Sequence, residues 1–218
     1  PTNPEVPDGA NHVAFAYSAD GKDRFMTVYP NLNLIDGTKD FSGDWKNSSY
    51  WKSDGTYKGL TVKKMTIKWF GIHKIFTVPK SKTFTAPKDG VYTFSADVKS
   101  SGSSANINRV TEVNGKGNYL VPDKLIGNNF DWLRDSVTVT LKEGDNASVR
   151  YEISGDGKDS ILWTAGHKWE EGSTATPWMP SASEITASDY PIYIGTYTDN
   201  NSNEQSTDPE KYSWKKIE

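Results

Sequence analysis

The sequence has no cysteine and only 3 histidines among its 218 residues. The first absence excludes a disulfide frame, a thiol nucleophile and any Cys-ligated zinc. The histidines, His12, His73 and His167, lie too far apart to share metal-ligand spacing, so no zinc centre is expected. Hydrophobic residues make up only 34% of the chain. No apolar run approaches the ~20 residues of a membrane-spanning helix, so no membrane insertion is expected. Few aliphatics also argue against an α/β enzyme, whose parallel strands read as continuous Val/Ile/Leu runs. An excess of one charge is missing too: 25 Lys and Arg stand interspersed with 28 Asp and Glu. That balance leaves no basic footprint for nucleic acid. G-x-S-x-G, H-E-x-x-H and the phosphate-binding loop are all absent. No signal peptide is visible, and the Pro1 start reads as a piece cut from something longer.

What is present is aromatic: 12% of the residues, with 8 Trp and 11 Tyr. Many aromatics with few aliphatics fit a thin-cored β-sandwich. Turn signals recur roughly every 8–12 residues, the rhythm of a sandwich or jelly roll. "GVYTFSADVKS" (90–100) is a clean strand, with Tyr92, Phe94, Ala96 and Val98 on one face and Thr93, Ser95 and Asp97 on the other. "HVAFAYSADGKDRFMTVYP" reads as strand, Asp20-Gly21 turn, strand. "GLTVKKMTIKWF" (59–70) and "IHKIFTVP" (72–79) read as further strands. The Phe-Thr-Val-Pro-Lys and Phe-Thr-Ala-Pro-Lys echo is a local duplication. The one helix candidate is "SASEITASD" (181–189), and the Pro-rich 1–9 reads as a linker. The tail "YPIYIGTYTDNNSNEQSTDPEKYSWKKIE" holds two aromatic strand segments that cannot bury themselves alone; the N-terminal hairpin is the obvious partner.

Two sets of phrases resemble known proteins. "AFAYSADGKDRF" and "YIGTYTDNNSNEQSTDPEKYSWKKI" resemble a small β module of tail and baseplate proteins of phages infecting Gram-positive bacteria. Between them, "NLIDGTKDFSGDW", "APKDGVYTFSADVKSSG" and "KWEEGSTATPWMPS" resemble jelly-roll carbohydrate-binding modules of such proteins. The resemblance implies an all-β chain: a small discontinuous β module at 10–31 and 187–218, with a jelly-roll β-sandwich at 32–186 inserted. It also implies a structural calcium, for which Asp36, Asp40 and Glu170 are the candidate ligands.

"WEEGSTATPWMP" places Glu170 and Glu171 between tryptophans, the residue types of a glycosidase site. Adjacent residues of a strand point to opposite faces, so the two cannot flank one glycosidic bond. A partner such as Asp131, Asp135 or Glu152 would be needed, and none sits in a diagnostic motif. Trp178 reads as an edge plug and Trp163, in "SILWTAG", as core. Saccharide binding needs exposed aromatic faces for sugar C–H groups and polar side chains for the hydroxyls. Two loops combine these: "WKNSSYWKSDGTY" (45–57), with Trp45, Tyr50, Trp51 and Tyr57, and "GNNFDWLRD" (127–135), with Asn129, Asp131, Trp132 and Arg134. Trp69 and His73 are candidates for the same concave face, although alternation equally places Trp69 in the core. Asp199, Asn201, Asn203 and Glu210 fall at calcium-loop spacing, but Glu204 replaces the required glycine and no helices flank them, so the stretch reads as solvated turns.

The expectation is a non-catalytic adhesion module of a phage tail tip or baseplate. Its partners would be bacterial cell-wall or surface polysaccharide and other phage tail proteins. A structural tail spacer and a glycan-cleaving enzyme are the alternatives.

Overall fold

The structure is a computed structural model describing residues 10–79, 82–117, 120–155, 158–201 and 203–218. The linker expected at 1–9 lies outside the described residues. In chain order the strands are β1 (Ala10–Ala16), β2 (Trp45–Lys46), β3 (Lys52–Tyr57), β4 (Leu60–Met65), β5 (His73–Lys74), β6 (Phe84–Thr85), β7 (Gly90–Ser101) and β8 (Ala105–Val113). They continue as β9 (Lys116–Gly117), β10 (Lys124–Gly127), β11 (Phe130–Leu141), β12 (Asn146–Gly155), β13 (Ile161–Glu171), β14 (Tyr193–Asp199) and β15 (Ser213–Lys216). The all-β reading holds. The helix expected at 181–189 does not form: Ser181 bridges Asn33, and only Ala187–Asp189 makes one 3-10 turn, capped by Thr186. Ile185 is the only large apolar side chain of that stretch, so no apolar stripe exists to dock a helix.

The chain divides into two compact units, one of Leu32–Glu184 and one of the chain to Asn31 with Ile185–Glu218. The larger is a jelly-roll sandwich of two antiparallel sheets, ordered β11-β7-β13-β4-β3 and β10-β8-β12-β6, with β9 beside β8. Strand alternation builds its core. Tyr92, Phe94, Ala96 and Val98 of β7 all face inward, as expected, and pack in one cluster with Ile107, Val149 and Ile153 of the opposing sheet. Aromatics fill the volume that aliphatics would otherwise take: Trp169 stacks on Phe84 at 4.8 Å and meets Phe94 edge-on at 5.4 Å. A buried ion pair crosses the sandwich. Arg109 Nη1 donates to both Asp135 oxygens at 2.9 and 3.1 Å, and the Tyr151 hydroxyl donates to Oδ2 at 2.9 Å.

The strand read at 59–70 stops at Met65. Trp69 and Phe70 adopt positive φ, at 65° and 52°, in the loop that follows. Likewise only His73–Lys74 of 72–79 is a strand of the sheets. The loop is fixed from outside: Trp69 N donates to Ile153 O, Trp51 Nε1 to Phe70 O at 2.8 Å and Asn47 Nδ2 to Gly71 O at 2.9 Å.

The smaller unit is a sheet of order β1-β14-β15. The expected N-terminal hairpin is reduced to one bridge, Phe15 to Met26, and β1 pairs instead with β14 in the tail. Tyr197 stacks on His12 at 4.5 Å and meets Tyr212 edge-on at 4.7 Å. Trp214 packs on Gly21, where a Cβ would lie 2.3 Å from the indole. The polar tail loop is spent on turns: Asp199 accepts from His12 Nε2 and Asn201 N, and Asn201 Oδ1 accepts from Asn203 N and Glu204 N.

Candidate functional site

The outer face of the β11-β7-β13-β4-β3 sheet carries a second, smaller apolar cluster. Leu60 and Val62 of β4 and Ala165 of β13 are buried there, with Tyr57, Trp132, Trp163 and Trp178 half-buried around them. Two irregularities build it. A bulge in β11 between Phe130 and Leu133 interrupts pairing with β7, and such a bulge re-aims the side chains within it. Trp132 thereby reaches Tyr57 at the end of β3, the rings parallel within 10° at a centroid distance of 4.3 Å. A second bulge, in β13, centres on Gly166 at φ 61°. A Cβ there would lie 2.9 Å from Leu60 Cδ1 and 3.0 Å from Asp97 Oδ2. This close approach lets Arg134 Nη1 donate to Gly166 O at 2.7 Å while Nη2 donates to Ser95 Oγ at 2.9 Å. Asp97 lies 3.5 Å from the same guanidinium; burial pushes its carboxyl pKa up, and Arg134 and Lys58 pull it back. Trp163 completes the face, its Nε1 donating to Asp54 Oδ2 at 2.7 Å and Lys99 Nζ lying 5.1 Å from its ring centroid. The face thus sets partly exposed aromatic rings, Tyr57 and Trp132 stacked on each other and Trp163 beside Lys99, next to fixed polar groups.

The rest of that sheet face is closed by residues 172–180. Glu170 is fully buried, accepting from Thr176 N at 3.2 and 3.1 Å and from the Thr176 hydroxyl at 2.5 Å. Lys168 Nζ, equally buried, donates to Thr176 Oγ1 and Pro177 O at 2.8 Å each and lies 3.4 Å from Glu170. Burial lowers the Lys168 pKa to about 8. Glu171 is exposed and pairs with Lys88 at 3.3 Å. Trp178 anchors the closing segment, donating Nε1 to Thr38 Oγ1 at 3.0 Å.

The calcium ligands expected at Asp36, Asp40 and Glu170 do not gather. Asp36 accepts from Ser183 Oγ and Asp40 from Ser42 N, while Glu170 faces the Lys168 ammonium. Among the described residues no three His, Asp or Glu side chains are grouped as a metal centre. These three carboxylates therefore do not form one calcium site together.

The expected saccharide ligands separate into groups. Trp132 and Arg134 share the sheet face. Asn129 sits at φ 48° in the turn before β11, and exposed Asp131 accepts from Trp132 N at 2.7 Å within the bulge. Trp45 and Trp51, read as ligand contacts, are core residues at 5% and 4% exposure. Trp45 donates Nε1 to Ser42 O and packs on Phe41 and His167, and Trp51 holds the 66–72 loop. His73 does not join Trp132: it is half-buried beside Arg150 and Glu112 of the other sheet, and burial lowers its pKa to about 4. Apart from that face, Trp69 is exposed beside Phe70 in the same loop, and Tyr50 stacks on Phe70 at 4.2 Å. Their exposures of 52% and 46%, with 40% for Phe70, make this the second candidate surface. Sequence reasoning grouped Tyr57 with its loop's candidate contacts, read Trp163 as core and missed Phe70. Period-two alternation places Trp163 and Ala165 opposite Leu162, a signal that was available.

Among solved structures, the chain is similar to the tripod from the baseplate of bacteriophage Tuc2009, with 29% identity, 96% of this chain and 79% of that chain covered, and a TM-score of 0.57. This chain is similar along nearly its whole length to a phage baseplate protein. The baseplate resemblance carried by the terminal motifs therefore holds for the intervening jelly roll as well. Remoter likenesses include the CBM22-1 xylan-binding domain of Paenibacillus barcinonensis Xyn10C (14% identity, 57% and 81% covered, TM-score 0.38). Another is the CBM6cm-2 carbohydrate-binding module of Cellvibrio mixtus lichenase 5A in complex with cellotriose (16%, 57% and 89%, TM-score 0.36). At such values they bear on nothing in this chain's site. No family model and no curated protein matches the sequence.

Proposed function

We propose that the chain is a non-catalytic adhesion module of a phage baseplate whose larger unit binds saccharides of the bacterial envelope. The smaller unit, into which the jelly roll is read as inserted, would join it to other tail proteins. The observation that carries the reading is the Tyr57–Trp132 pair on the outer sheet face, beside the Arg134–Asp97 pair. A pyranose ring lays its C–H face on such a surface and turns its hydroxyls to neighbouring polar groups. Shallow faces of this kind bind weakly, and many copies on one virion raise the effective concentration without new contacts.

The test is binding of the full chain to a panel of purified wall polysaccharides from Gram-positive bacteria. At least one should bind, and Trp132→Ala should lose about tenfold, the equivalent of ~1.4 kcal/mol. No binding to any polymer would favour the spacer reading. Sugar release from walls, lost on Glu170→Gln, would support an enzyme, although Glu170 is buried. A second reading places the sugar on Tyr50, Phe70 and Trp69, supported by their exposure and by positive φ at both Trp69 and Phe70. Loss of binding in Trp69→Ala with Trp132→Ala unaffected would select it.

A further inference from the structure

The strand registers align charge on the same face. Trp163 of β13 lies directly opposite Lys99 of β7 on one side and Lys64 of β4 on the other, and Lys64 lies directly opposite Lys52 of β3. Directly paired residues of antiparallel strands share a face. The row therefore reads Lys99, Trp163, Lys64, Lys52 across consecutive strands, spanning roughly 14 Å at ~4.8 Å per strand. Among the described residues none of these lysines makes an ion pair, and the nearby carboxylates are already engaged. Asp54 accepts from Trp163 Nε1 and Asp97 pairs with Arg134. Like charges directly opposed across strands destabilise a sheet, and the chain as a whole is acidic at net −3. A lysine at a sheet edge serves against edge-to-edge pairing. That accounts for Lys52 on the edge strand β3, but Lys64 and Lys99 lie on interior strands. Lys99 has a structural partner in the Trp163 ring, 5.1 Å from its Nζ. The directly opposed Lys64 and Lys52 have no ion pair among the described residues, and a local arrangement that costs the fold something without a structural return points to a ligand.

We infer that this row makes the face selective for saccharides carrying an anionic group, a phosphate or a carboxylate, seated between Lys99 and Lys64 over the Trp163 edge. The inference rests on the saccharide-binding reading and adds the charge of the ligand to it. Lysine suits the task as a mobile point charge that accepts either anion.

The test uses the wall polysaccharide that the full chain binds, cut to oligosaccharide repeats so that avidity plays no part. The repeats are compared intact, after phosphatase and after chemical reduction of carboxylates. The expected result is at least a tenfold loss of affinity after one treatment. The Lys64→Gln/Lys99→Gln variant should show the same loss on the intact repeat, and its affinity for the neutralised repeat should match the parent's. Binding of the intact repeat should also weaken between 50 and 300 mM salt. If neither treatment changes affinity, the inference fails and the neutral saccharide reading stands. If a treatment weakens binding and the lysine variant does not, the anion is read elsewhere and the inference fails. If no polysaccharide binds at all, the reading beneath it fails.

Discussion

Lys168 occupies a place where a cation of some kind is needed: a fully buried carboxylate, Glu170, with the Thr176 hydroxyl and the Pro177 carbonyl around it. Removing one member of a buried charge pair leaves the other uncompensated, at about 3–5 kcal/mol. Lys168→Met should therefore destabilise the larger unit by roughly that amount in denaturant unfolding, and Lys168→Met/Glu170→Leu should recover much of it. His167 gives a second test. It is fully buried among Phe41, Trp45 and Phe94, and burial lowers its pKa from 6.5 to about 3. Below pH 6.5 the unfolded chain takes up a proton that the folded one refuses, so stability falls as pH drops from about 6.5 toward 3. One such group contributes a slope of about 1.4 kcal/mol per pH unit. His167→Gln should flatten the pH profile of unfolding in that window; an unchanged slope would mean the imidazole is protonated in the fold. The individual tryptophans were the least legible residues. Trp45 and Trp51 sit in a polar loop that suggests exposure, yet each reaches a backbone carbonyl and buries its ring. The indole combines an apolar body with one donor, which suits both places, and only the tertiary partner decides.

At the level of elements, regular strands were legible and departures from them were not. β7 alternates cleanly, and its inward residues are the ones expected. Its other face is buried too: residues 172–180 cover Thr93, which donates to Gly172 O at 2.7 Å, and Arg134 covers Ser95 and Asp97. The two bulges and the left-handed pair Trp69–Phe70 depend on partners far along the chain, Ile153 and Trp51 among them. Local propensity cannot report such partners. These irregular elements are also what position the candidate surfaces. Gly166→Ala places a Cβ against Leu60 at φ 61°. It should cost about 1–3 kcal/mol of stability and weaken saccharide binding by displacing Arg134 from Gly166 O. Circular dichroism and a binding titration on the same sample check both effects. Asn47→Ala removes the donor to Gly71 O and should loosen the 66–72 loop, raising backbone hydrogen exchange there while leaving binding at the Tyr57–Trp132 face unchanged.

For the whole molecule, composition and turn rhythm were enough for the fold class: few aliphatics, many aromatics and no long apolar run leave a β-sandwich. The site was only partly legible because it is assembled from β3, β4, β7, β11 and β13, and strand register decides which side chains share a face. Tyr57, Trp132 and Arg134 could be named from their loops and Trp163 placed by alternation, whereas their sharing one face with the lysine row became clear only once the cross-strand partners were known. The most direct measurement is the affinity of Trp132→Ala against the parent chain for a wall polysaccharide that the parent binds, with the fold of the variant checked by near-ultraviolet circular dichroism. A loss of about tenfold in a folded variant is the expected result. Unchanged affinity in a folded variant would contradict the placement of the saccharide on this face.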